Sequence, residues 1–308
     1  MKIGMITDAP MHNLALMKLS TYHKSLGDSV ELINKDKIRS FDKVYGSYIF
    51  TWNRNKALEL KQVYGDKAII SGTGVDVTDK LPKHVEMLKP DYSLFDLDYG
   101  VGFTRRGCIN KCSFCVVPKK EIWKEDTAIK DIINPLSNRV YILDNNFSND
   151  PNFELKVKEF NNRNLIVSLQ SGVDVRTMTC EKARLLSTIN HEKQLHIAWD
   201  NYNHKKSVLK GIDYLLNYFK PSKLMCYVLI GFNSTREEDF LRIDELRRLK
   251  IDPYVMMYRD PYDPNYKFDR MDMHFKNWVN GHAYKSVPFE EFDRAINEIK
   301  KRQQLSLF

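Results

Sequence analysis

The sequence predicts an α/β protein in which a partial (β/α)6 TIM-like barrel follows a small Rossmann-like α/β domain. Three observations support this fold class. Short apolar runs alternate with amphipathic stretches along the 308 residues, as in strands joined by crossover helices. The runs lack strict polar alternation, which is typical of parallel strands covered on both faces. Polar residues follow the later runs, where barrels of this kind carry their chemistry.

The first 97 residues predict the small α/β domain. An apolar run, a helical pattern and a Gly27-Asp28 break lead to a second apolar run, which together indicate a βαβ opening. The predicted elements are strands at Lys2–Thr7, Ser29–Ile33, Val44–Thr51 and Ala68–Ser71, and helices at Asn13–Leu26 and Lys56–Val63. Residues 1–97 are therefore expected to form a Rossmann-like domain on a small parallel sheet.

Residues 98–265 are predicted to form the barrel, and residues 266–308 are predicted to form a helical cap and tail. Six apolar runs recur at Val101–Phe103, Val140–Leu143, Leu165–Leu169, Leu195–Trp199, Leu224–Ile230 and Tyr254–Tyr258. Helices are predicted at Ala128–Leu136, Phe153–Phe160, Glu181–Ser187, Ser207–Phe219 and Glu237–Leu249, with a charged one at Phe289–Arg302. Sequential crossovers of one hand curl a parallel sheet towards a barrel.

Composition narrows the class of protein. A net charge of +8 and a pI near 9.0 favour anionic partners such as nucleic acid or nucleotides. A lysine-rich solvated surface is the alternative, because the excess charge is spread along the chain. No uncharged apolar run reaches membrane-spanning length, and Met1–Asp8 has a strand pattern instead of a leader pattern. We therefore expect a cytoplasmic protein with no membrane partner.

Three of the five cysteines, Cys108, Cys112 and Cys115, form a Cys-x3-Cys-x2-Cys pattern after the first predicted barrel strand. This clustering argues against a secreted disulfide framework and favours a metal site in a reducing compartment. Three thiolates suit a four-iron, four-sulfur cluster that keeps one iron open to another ligand. Structural zinc is the main alternative, but it needs four ligands and no histidine lies between His84 and His191.

The segment GFTRRGCINKCSFCVVPK, from Gly102 to Lys119, closely resembles the cluster loop of radical S-adenosylmethionine enzymes. These enzymes place an aromatic residue, here Phe114, before the third cysteine. The resemblance covers residues 98–265 and implies a partial barrel with a [4Fe-4S] cluster and S-adenosylmethionine on its open iron. It also implies that an electron from a flavodoxin-type or ferredoxin-type reductant cleaves S-adenosylmethionine to a 5′-deoxyadenosyl radical, which abstracts hydrogen from a substrate.

The same resemblance implies which strand ends contact S-adenosylmethionine. Asp144, Asn145 and Asn146 stand where the family has a Gly-Gly-Glu-like motif on the methionine amino group, although Asp-Asn-Asn is also an ordinary turn. The predicted contacts after later strands are Gln170, Arg176, Asp200, Asn201 and Gly231. Arg176 would clamp the methionine carboxylate, with a surface salt bridge as the alternative. Asp200 and Asn201 would bind the ribose hydroxyls, and the backbone at Gly231 would contact the adenine.

The N-terminal residues 10–30 are similar to the opening of cobalamin-binding domains fused to radical enzymes. The cobalt-ligating Asp-x-His-x-x-Gly motif of that family is absent, so His12 and His23 are expected to be helix or surface histidines. We expect a degenerate scaffold domain without cobalamin. Residues 1–97 and 266–308 also lack cysteine, which argues against a second cluster.

The last five residues, Gln304, Leu305, Ser306, Leu307 and Phe308, match the peptide that bacterial replication and repair proteins use to bind the sliding clamp. The alternative is a terminal helix whose apolar residues pack against the cap. With the positive charge, the tail favours a radical enzyme that modifies or repairs DNA or a nucleotide in it. The other hypotheses are the same chemistry on tRNA, a peptide or a small metabolite, and a non-catalytic iron–sulfur binding or regulatory protein.

Overall fold

The computed structural model describes residues 1–9, 11–121, 126–263 and 265–293. The chain divides into two compact units. The first comprises Met1–Gly172, Leu185–Lys193 and Asp260–Tyr266, and the second comprises Val173–Arg184, Gln194–Arg259 and the chain from Lys267 onward. The domain limits predicted from the sequence, after residues 97 and 265, stay predictions.

The first sheet of the first unit has the strand order β2-β1-β3-β4, and all its strands are parallel. Its elements are β1 (Lys2–Thr7), α1 (Leu14–Ser25), β2 (Ser29–Leu32), β3 (Lys43–Ser47), α2 (Arg54–Tyr64) and β4 (Ala68–Ser71). Asn13 begins α1 because its side chain accepts the amide hydrogen of Leu16 at 3.2 Å. Because β1 lies between β2 and β3, the chain reverses its direction of winding at the carboxyl ends of β1 and β3.

The second sheet of the first unit has the order β5-β6-β7-β8 and is also parallel. The elements of this part are α3 (Lys83–Glu86), β5 (Gly100–Gly102), α4 (Val117–Lys120), β6 (Arg139–Ile142), α5 (Phe153–Asn162), β7 (Ile166–Leu169) and β8 (Asn190–His191). Glycine begins β5 because a Cβ at Gly100 would lie 2.3 Å from the carbonyl oxygen of Ile132. Helix α5 buries Phe153, Val157 and Phe160, which forms an apolar layer.

The second unit contains the parallel sheet β11-β10-β9. Its elements are β9 (Leu195–Ala198), α7 (Lys205–Leu216), β10 (Leu224–Ile230), α8 (Arg236–Arg248), β11 (Asp252–Met257) and α9 (Arg270–Asn280), while α6 (Cys180–Ser187) spans the division between the units. Helix α8 begins with a capping box between Thr235 and Glu238, which satisfies amide groups that would otherwise lack partners.

The predicted α/β class is confirmed. All six predicted later strands are present as β5, β6, β7, β9, β10 and β11, with ends within two residues of those predicted. The two-residue strand β8 is additional. It is too short to produce a hydrophobic period.

The helix predicted at Ala128–Leu136 is wrong. A single 3-10 turn at Ile129–Asp131 replaces it. Pro135 cannot donate a helical hydrogen bond, and Asn134 donates its side-chain amide to the carbonyl oxygen of Leu97 at 2.8 Å. Of the helix predicted at Phe289–Arg302, the described part is a 3-10 turn at Phe289–Glu291 followed by Phe292 and Asp293 in helical conformation, and residues 294–302 lie outside the described residues.

The helices of the described ranges are short. The longest is α8 with 13 residues, whereas a span of the bilayer needs roughly 20 apolar residues. None of the helices in these ranges is long and apolar enough to cross a membrane.

Candidate functional site

The three predicted cluster cysteines lie in one loop that follows β5. Cys108, Cys112 and Cys115 are of intermediate exposure. The backbone amide of Asn110 donates to Cys108 Sγ at 3.3 Å, and the amide of Cys115 donates to the carbonyl oxygen of Cys112 at 3.1 Å. Hydrogen bonds to cysteine sulfur are a feature of iron–sulfur sites, where they tune the reduction potential.

The chemistry of the donors in this loop fits a thiolate-bound metal centre. Three cysteines within eight residues supply soft ligands. Across the described ranges, no three His, Cys, Asp or Glu side chains converge closely enough to hold a metal ion. Metal sites commonly gain their final geometry only on binding, because the ligands must lose protons and draw together. The fit therefore rests on the donor set and its loop.

Thr104 anchors the start of the cysteine loop to the end of β6. It is fully buried, and its backbone amide donates to Asp144 Oδ1 at 2.6 Å. The Thr104 hydroxyl donates to Asp144 Oδ2, and the amide of Arg105 donates to Asp144 Oδ1 at 3.2 Å. Burial raises the pKa of Asp144 to about 6, although hydrogen bonds from Thr104 and Arg105 favour its ionised form.

A buried lysine holds the other side of Thr104. Lys156 on α5 donates to the carbonyl oxygen of Thr104 at 3.2 Å and forms an ion pair with Asp150 at 2.5 Å. The amide of Thr127 donates to the same carbonyl oxygen at 3.0 Å. Every polar group of Thr104 is thus hydrogen-bonded, which fixes the position from which the cysteine loop begins.

Arg106, two residues before Cys108, is held by charged and aromatic neighbours. Its guanidinium pairs with Glu86 at 2.9 Å and Glu121 at 3.2 Å, and it lies 4.3 Å from the centroid of the Phe103 ring. The cations at Arg106 and Lys18 lower the pKa of Glu86 although burial opposes them. The fork of a guanidinium suits this arrangement, because it offers several donors in one plane.

Asn145 and Asn146 are the strand-end residues that contact the cysteine loop. Asn145 Oδ1 accepts the amide hydrogen of Gly107 at 3.3 Å, and Asn146 Nδ2 donates to Cys108 Sγ at 3.6 Å. A small cleft of about 40 Å³ lies beside them. Its lining includes Arg105, Cys108, Asp144, Asn146, Asn149 and Asp150.

The other predicted site residues of the first unit are Phe114 and Gln170. Phe114 is half-buried between Cys112 and Cys115 in sequence. Gln170 follows β7, and its side-chain amide donates to Ser168 Oγ at 2.6 Å. Their predicted contacts with a cofactor stay predictions.

In the second unit, Arg176 is bound to a neighbouring carboxylate. Its Nε donates to Asp174 Oδ1 at 2.8 Å and its Nη2 to Asp174 Oδ2 at 2.7 Å. The sequence analysis gave a salt bridge as the alternative role of Arg176, and this bidentate pair is such a salt bridge. A clamp on the methionine carboxylate would require the guanidinium to serve both carboxylates.

Asp200 and Asn201 follow β9 in the second unit. Burial raises the pKa of Asp200 to about 6, while Arg176 and Arg242 lower it. Asn201 Oδ1 accepts the amide hydrogen of Asn203 at 2.9 Å and so begins a 3-10 turn at Tyr202–His204. A partly buried carboxylate near two guanidinium groups can take or release a proton near neutral pH.

Gly231 directly follows β10 and has a positive φ of 74°, a conformation that favours glycine. A Cβ at this position would lie 2.7 Å from Asp272 Oδ2. Asp272 in turn accepts a hydrogen bond from Arg236 at 2.5 Å. Only glycine therefore leaves this turn unstrained, and the carboxylate of Asp272 packs against its backbone.

The sequence did not identify Lys156 and Asp150 as residues of the site. Lys156 lies in an amphipathic helix, where a lysine normally faces solvent, and its only unusual property is burial. Asp150 directly precedes Pro151 and looks like a turn residue. Thr104 is one of the polar residues that follow β5, and the sequence alone does not distinguish it from its neighbours.

The predicted site residues divide between the two units. Cys108, Cys112, Cys115, Phe114, Asp144, Asn145, Asn146 and Gln170 belong to the first unit, and Arg176, Asp200, Asn201 and Gly231 belong to the second. A comparison with protein-family models finds none that matches this chain. A comparison with curated proteins likewise finds no significant match.

Proposed function

We propose that this protein is a radical S-adenosylmethionine enzyme whose Cys108, Cys112 and Cys115 hold a [4Fe-4S] cluster. The observation that carries the proposal is the Cys-x3-Cys-x2-Cys loop directly after a parallel strand. Three thiolates leave one iron of such a cluster open. When bound, the cluster and S-adenosylmethionine would supply the electron and the 5′-deoxyadenosyl radical that abstracts hydrogen from the substrate.

We also propose that residues 98–265 form a partial barrel. Two parallel sheets, β5–β8 and β9–β11, support it, because they follow one another along the chain in the order that a curled sheet requires. In such a barrel, the residues after each strand would bind the cofactors.

The residues of the chain would then orient the ligand and exclude water. Asn145 and Asn146 would accept hydrogen bonds from the methionine amino group, and Arg176 would bind its carboxylate. Asp200 and Asn201 would bind the ribose hydroxyls, and Gly231 would let the adenine approach the backbone. The electron would come from a flavodoxin-type or ferredoxin-type reductant in the cytoplasm.

The substrate that we propose is DNA or a nucleotide in DNA. The net charge of +8 supports an anionic partner. The clamp-like peptide Gln304–Phe308 supports delivery to replicating DNA, and it lies outside the described residues. The same chemistry on tRNA, a peptide or a small metabolite is the second candidate, and a non-catalytic iron–sulfur protein is the third.

Iron and sulfide content tests the cluster assignment. We expect about four irons per chain after anaerobic reconstitution, and we expect Cys108→Ala, Cys112→Ala or Cys115→Ala to lose most of this iron. Cys180→Ala is the matched control, because Cys180 is exposed and lies outside the loop. Full iron content in all three loop variants would contradict the assignment.

Release of 5′-deoxyadenosine tests the substrate. The reconstituted enzyme is reduced and assayed in parallel with DNA, tRNA and a metabolite extract. We expect the largest stimulation with DNA, with deuterium transfer from labelled DNA into 5′-deoxyadenosine. Stimulation by tRNA or by metabolites alone would support the second candidate instead.

Deletion of the last five residues tests the proposed delivery. We expect the full chain to bind a bacterial sliding clamp and the chain without Gln304–Phe308 to lose this binding, because the apolar side chains of the peptide would enter a groove on the clamp. Surface plasmon resonance with immobilised clamp measures both. Absence of binding by the full chain would remove the main support for DNA.

A further inference from the structure

Two aromatic rings stand together at the carboxyl end of β3. The rings of Phe50 and Trp52 are stacked, with centroids 4.5 Å apart and planes 15° from parallel. Trp52 is 49% exposed, and Ile49 beside them is 37% exposed. Tryptophan is enriched at protein interfaces, because its ring offers a large apolar area with a polar group at one end.

The segment that carries the two rings is held in place by Asp8. The carboxylate of Asp8, which follows β1, accepts the amide hydrogen of Ile49 at 2.8 Å and that of Phe50 at 3.1 Å. It also accepts a hydrogen bond from the side-chain amide of Asn53 at 3.1 Å. A ligand that stacks on these rings would therefore not have to order the segment first.

Two glycines after β4 pack against the same segment. A Cβ at Gly72, which has a φ of +110°, would lie 2.3 Å from the carbonyl oxygen of Tyr48. A Cβ at Gly74 would lie 2.6 Å from the carbonyl oxygen of Phe50. The backbone of the Gly72–Gly74 turn thus lies directly against the backbone of residues 48–50.

The rings lie at the edge of the sheet where α/β domains commonly bind ligands, outside the carboxyl ends of strands at a reversal of winding. The polar groups between β1 and β3 satisfy one another there. Asn13 Nδ2 donates to Ser47 Oγ at 2.9 Å and to Thr7 Oγ1 at 3.1 Å, and Thr7 Oγ1 donates to the carbonyl oxygen of Ser47 at 2.7 Å. Phe50 and Trp52 lie at this edge, and Trp52 is exposed there.

Two cationic residues follow the rings in the sequence, whereas the carboxylate of Asp8 is taken up by the hydrogen bonds that hold the segment. Arg54 and Lys56 follow Trp52 at the start of α2. Within the described ranges, neither forms an ion pair with a carboxylate within 4 Å. The field of Arg54 does reach Asp76, where it helps to lower the pKa, after hydrogen bonds from Thr78 that have the larger effect. Flat aromatic rings beside cations are the combination that binds single-stranded nucleic acid.

We propose that Phe50 and Trp52 form a stacking site for a base of single-stranded nucleic acid, with Arg54 and Lys56 contacting the adjoining phosphates. The proposal deepens the nucleic-acid reading of the proposed function and rests on it. Stacking is tolerant of base identity, because every base presents a π face. The site would hold an exposed strand without selecting its sequence.

Fluorescence anisotropy of labelled twelve-nucleotide single strands, as DNA and as RNA, tests the site with the full chain. We expect Trp52→Ala to weaken binding about tenfold and Trp52→Phe to bind close to wild type, because phenylalanine keeps a flat ring. Leu58→Ala is the matched control, since Leu58 is 44% exposed on the neighbouring helix. The DNA and RNA strands identify which sugar the natural ligand carries.

Salt dependence provides a second measurement. Arg54→Gln and Lys56→Gln should each lower the slope of log Kd against log salt by about 0.7, the value for one phosphate contact on a single strand. Wild-type binding that is absent, or unchanged in Trp52→Ala, would overturn the stacking site, as would equal losses in Trp52→Phe and Trp52→Ala. The assay contains no reductant and no S-adenosylmethionine, so its failure is distinct from a failure to assemble the cluster or to form 5′-deoxyadenosine.

Discussion

Asp144 is the residue on which the position of the cysteine loop depends most directly. It accepts hydrogen bonds from two groups of Thr104 and from the amide of Arg105. The sequence predicted this carboxylate as a contact of the methionine amino group, and that contact stays a prediction. In the structure both carboxylate oxygens hold the loop, while Asn145 and Asn146 contact the loop nearer the cysteines.

Asp144→Ala is expected to lower both the stability and the iron content of the protein. The substitution leaves buried donors at Thr104 and Arg105 without an acceptor, at a cost of about 1–3 kcal/mol for each unsatisfied group. Urea unfolding and iron analysis measure the two effects. Asp98→Ala is the control, because the Asp98 side chain is 77% exposed and its ion pair is worth less than about 1 kcal/mol. Unchanged iron content in Asp144→Ala would contradict the anchoring role.

The raised pKa of Asp200 predicts how the stability of the protein changes with pH. The unfolded chain ionises this carboxyl near pH 3.9, whereas the folded protein keeps the proton up to pH about 6. Between these values the folded state binds more protons, so the free energy of unfolding falls as the pH rises. Asn cannot ionise, so the free energy of unfolding of Asp200→Asn does not fall in this way. Relative to wild type, it should rise by about 2 kcal/mol between pH 4 and pH 7.

Denaturant unfolding of both proteins across this pH range measures the difference. Asp213→Asn, at an exposed position on α7, is the control and should stay parallel to wild type. A constant difference between Asp200→Asn and wild type would show that the folded protein does not retain the Asp200 proton.

At the scale of elements, helix α7 supports the turn that carries Arg176. A Cβ at Gly211 in α7 would lie 1.9 Å from the carbonyl oxygen of Val175, which belongs to the 3-10 turn Val175–Thr177. Helix propensity alone would make alanine about 1 kcal/mol better than glycine here. The close contact reverses this order.

Gly211→Ala is therefore expected to destabilise the protein by about 3 kcal/mol, as overpacking of a tight contact does. Thermal unfolding measures the loss. Lys206→Ala, at an exposed position on the same helix, should stay close to wild type. A melting temperature of Gly211→Ala at or above that of wild type would mean that α7 does not press on this turn.

Strands and helices could be predicted from the sequence wherever a local hydrophobic pattern alone determines them. Strand β10 has the ends that its apolar run Leu224–Ile230 predicts, because a buried parallel strand is continuously apolar. The helix predicted at Ala128–Leu136 failed, because the side-chain bonds of Asn134 and the ring of Pro135 outweigh its amphipathic pattern. Strand β8 is defined by pairing with β7 and not by its own sequence.

The site could be predicted only in part. Its cysteines share one loop, so their spacing alone identifies them. Thr104 contacts Asp144, which lies 40 positions later in the sequence, and Lys156, which lies 52 positions later. One sequence contains no signal for such a pairing, and a buried lysine on an amphipathic helix has the same pattern as an exposed one. Lys156 and Asp150 could therefore be found only in the structure.

At the scale of the whole molecule, the residues predicted to contact S-adenosylmethionine are divided between the two compact units. Asn146 and Gln170 lie in the first unit, and Arg176, Asp200 and Gly231 lie in the second. The cysteines, by contrast, belong to the first unit alone. Loss of cluster and loss of S-adenosylmethionine binding should therefore be separable: Cys112→Ala should lose iron, whereas Arg176→Ala should keep iron and bind S-adenosylmethionine more weakly.

The reductive cleavage of S-adenosylmethionine tests the central claim most directly. The wild-type chain and Cys112→Ala are reconstituted anaerobically, reduced with dithionite and incubated with S-adenosylmethionine, and 5′-deoxyadenosine is measured by chromatography. We predict 5′-deoxyadenosine from the wild type and none above background from Cys112→Ala. A wild-type protein that carries a complete, reduced cluster and still forms no 5′-deoxyadenosine would contradict it.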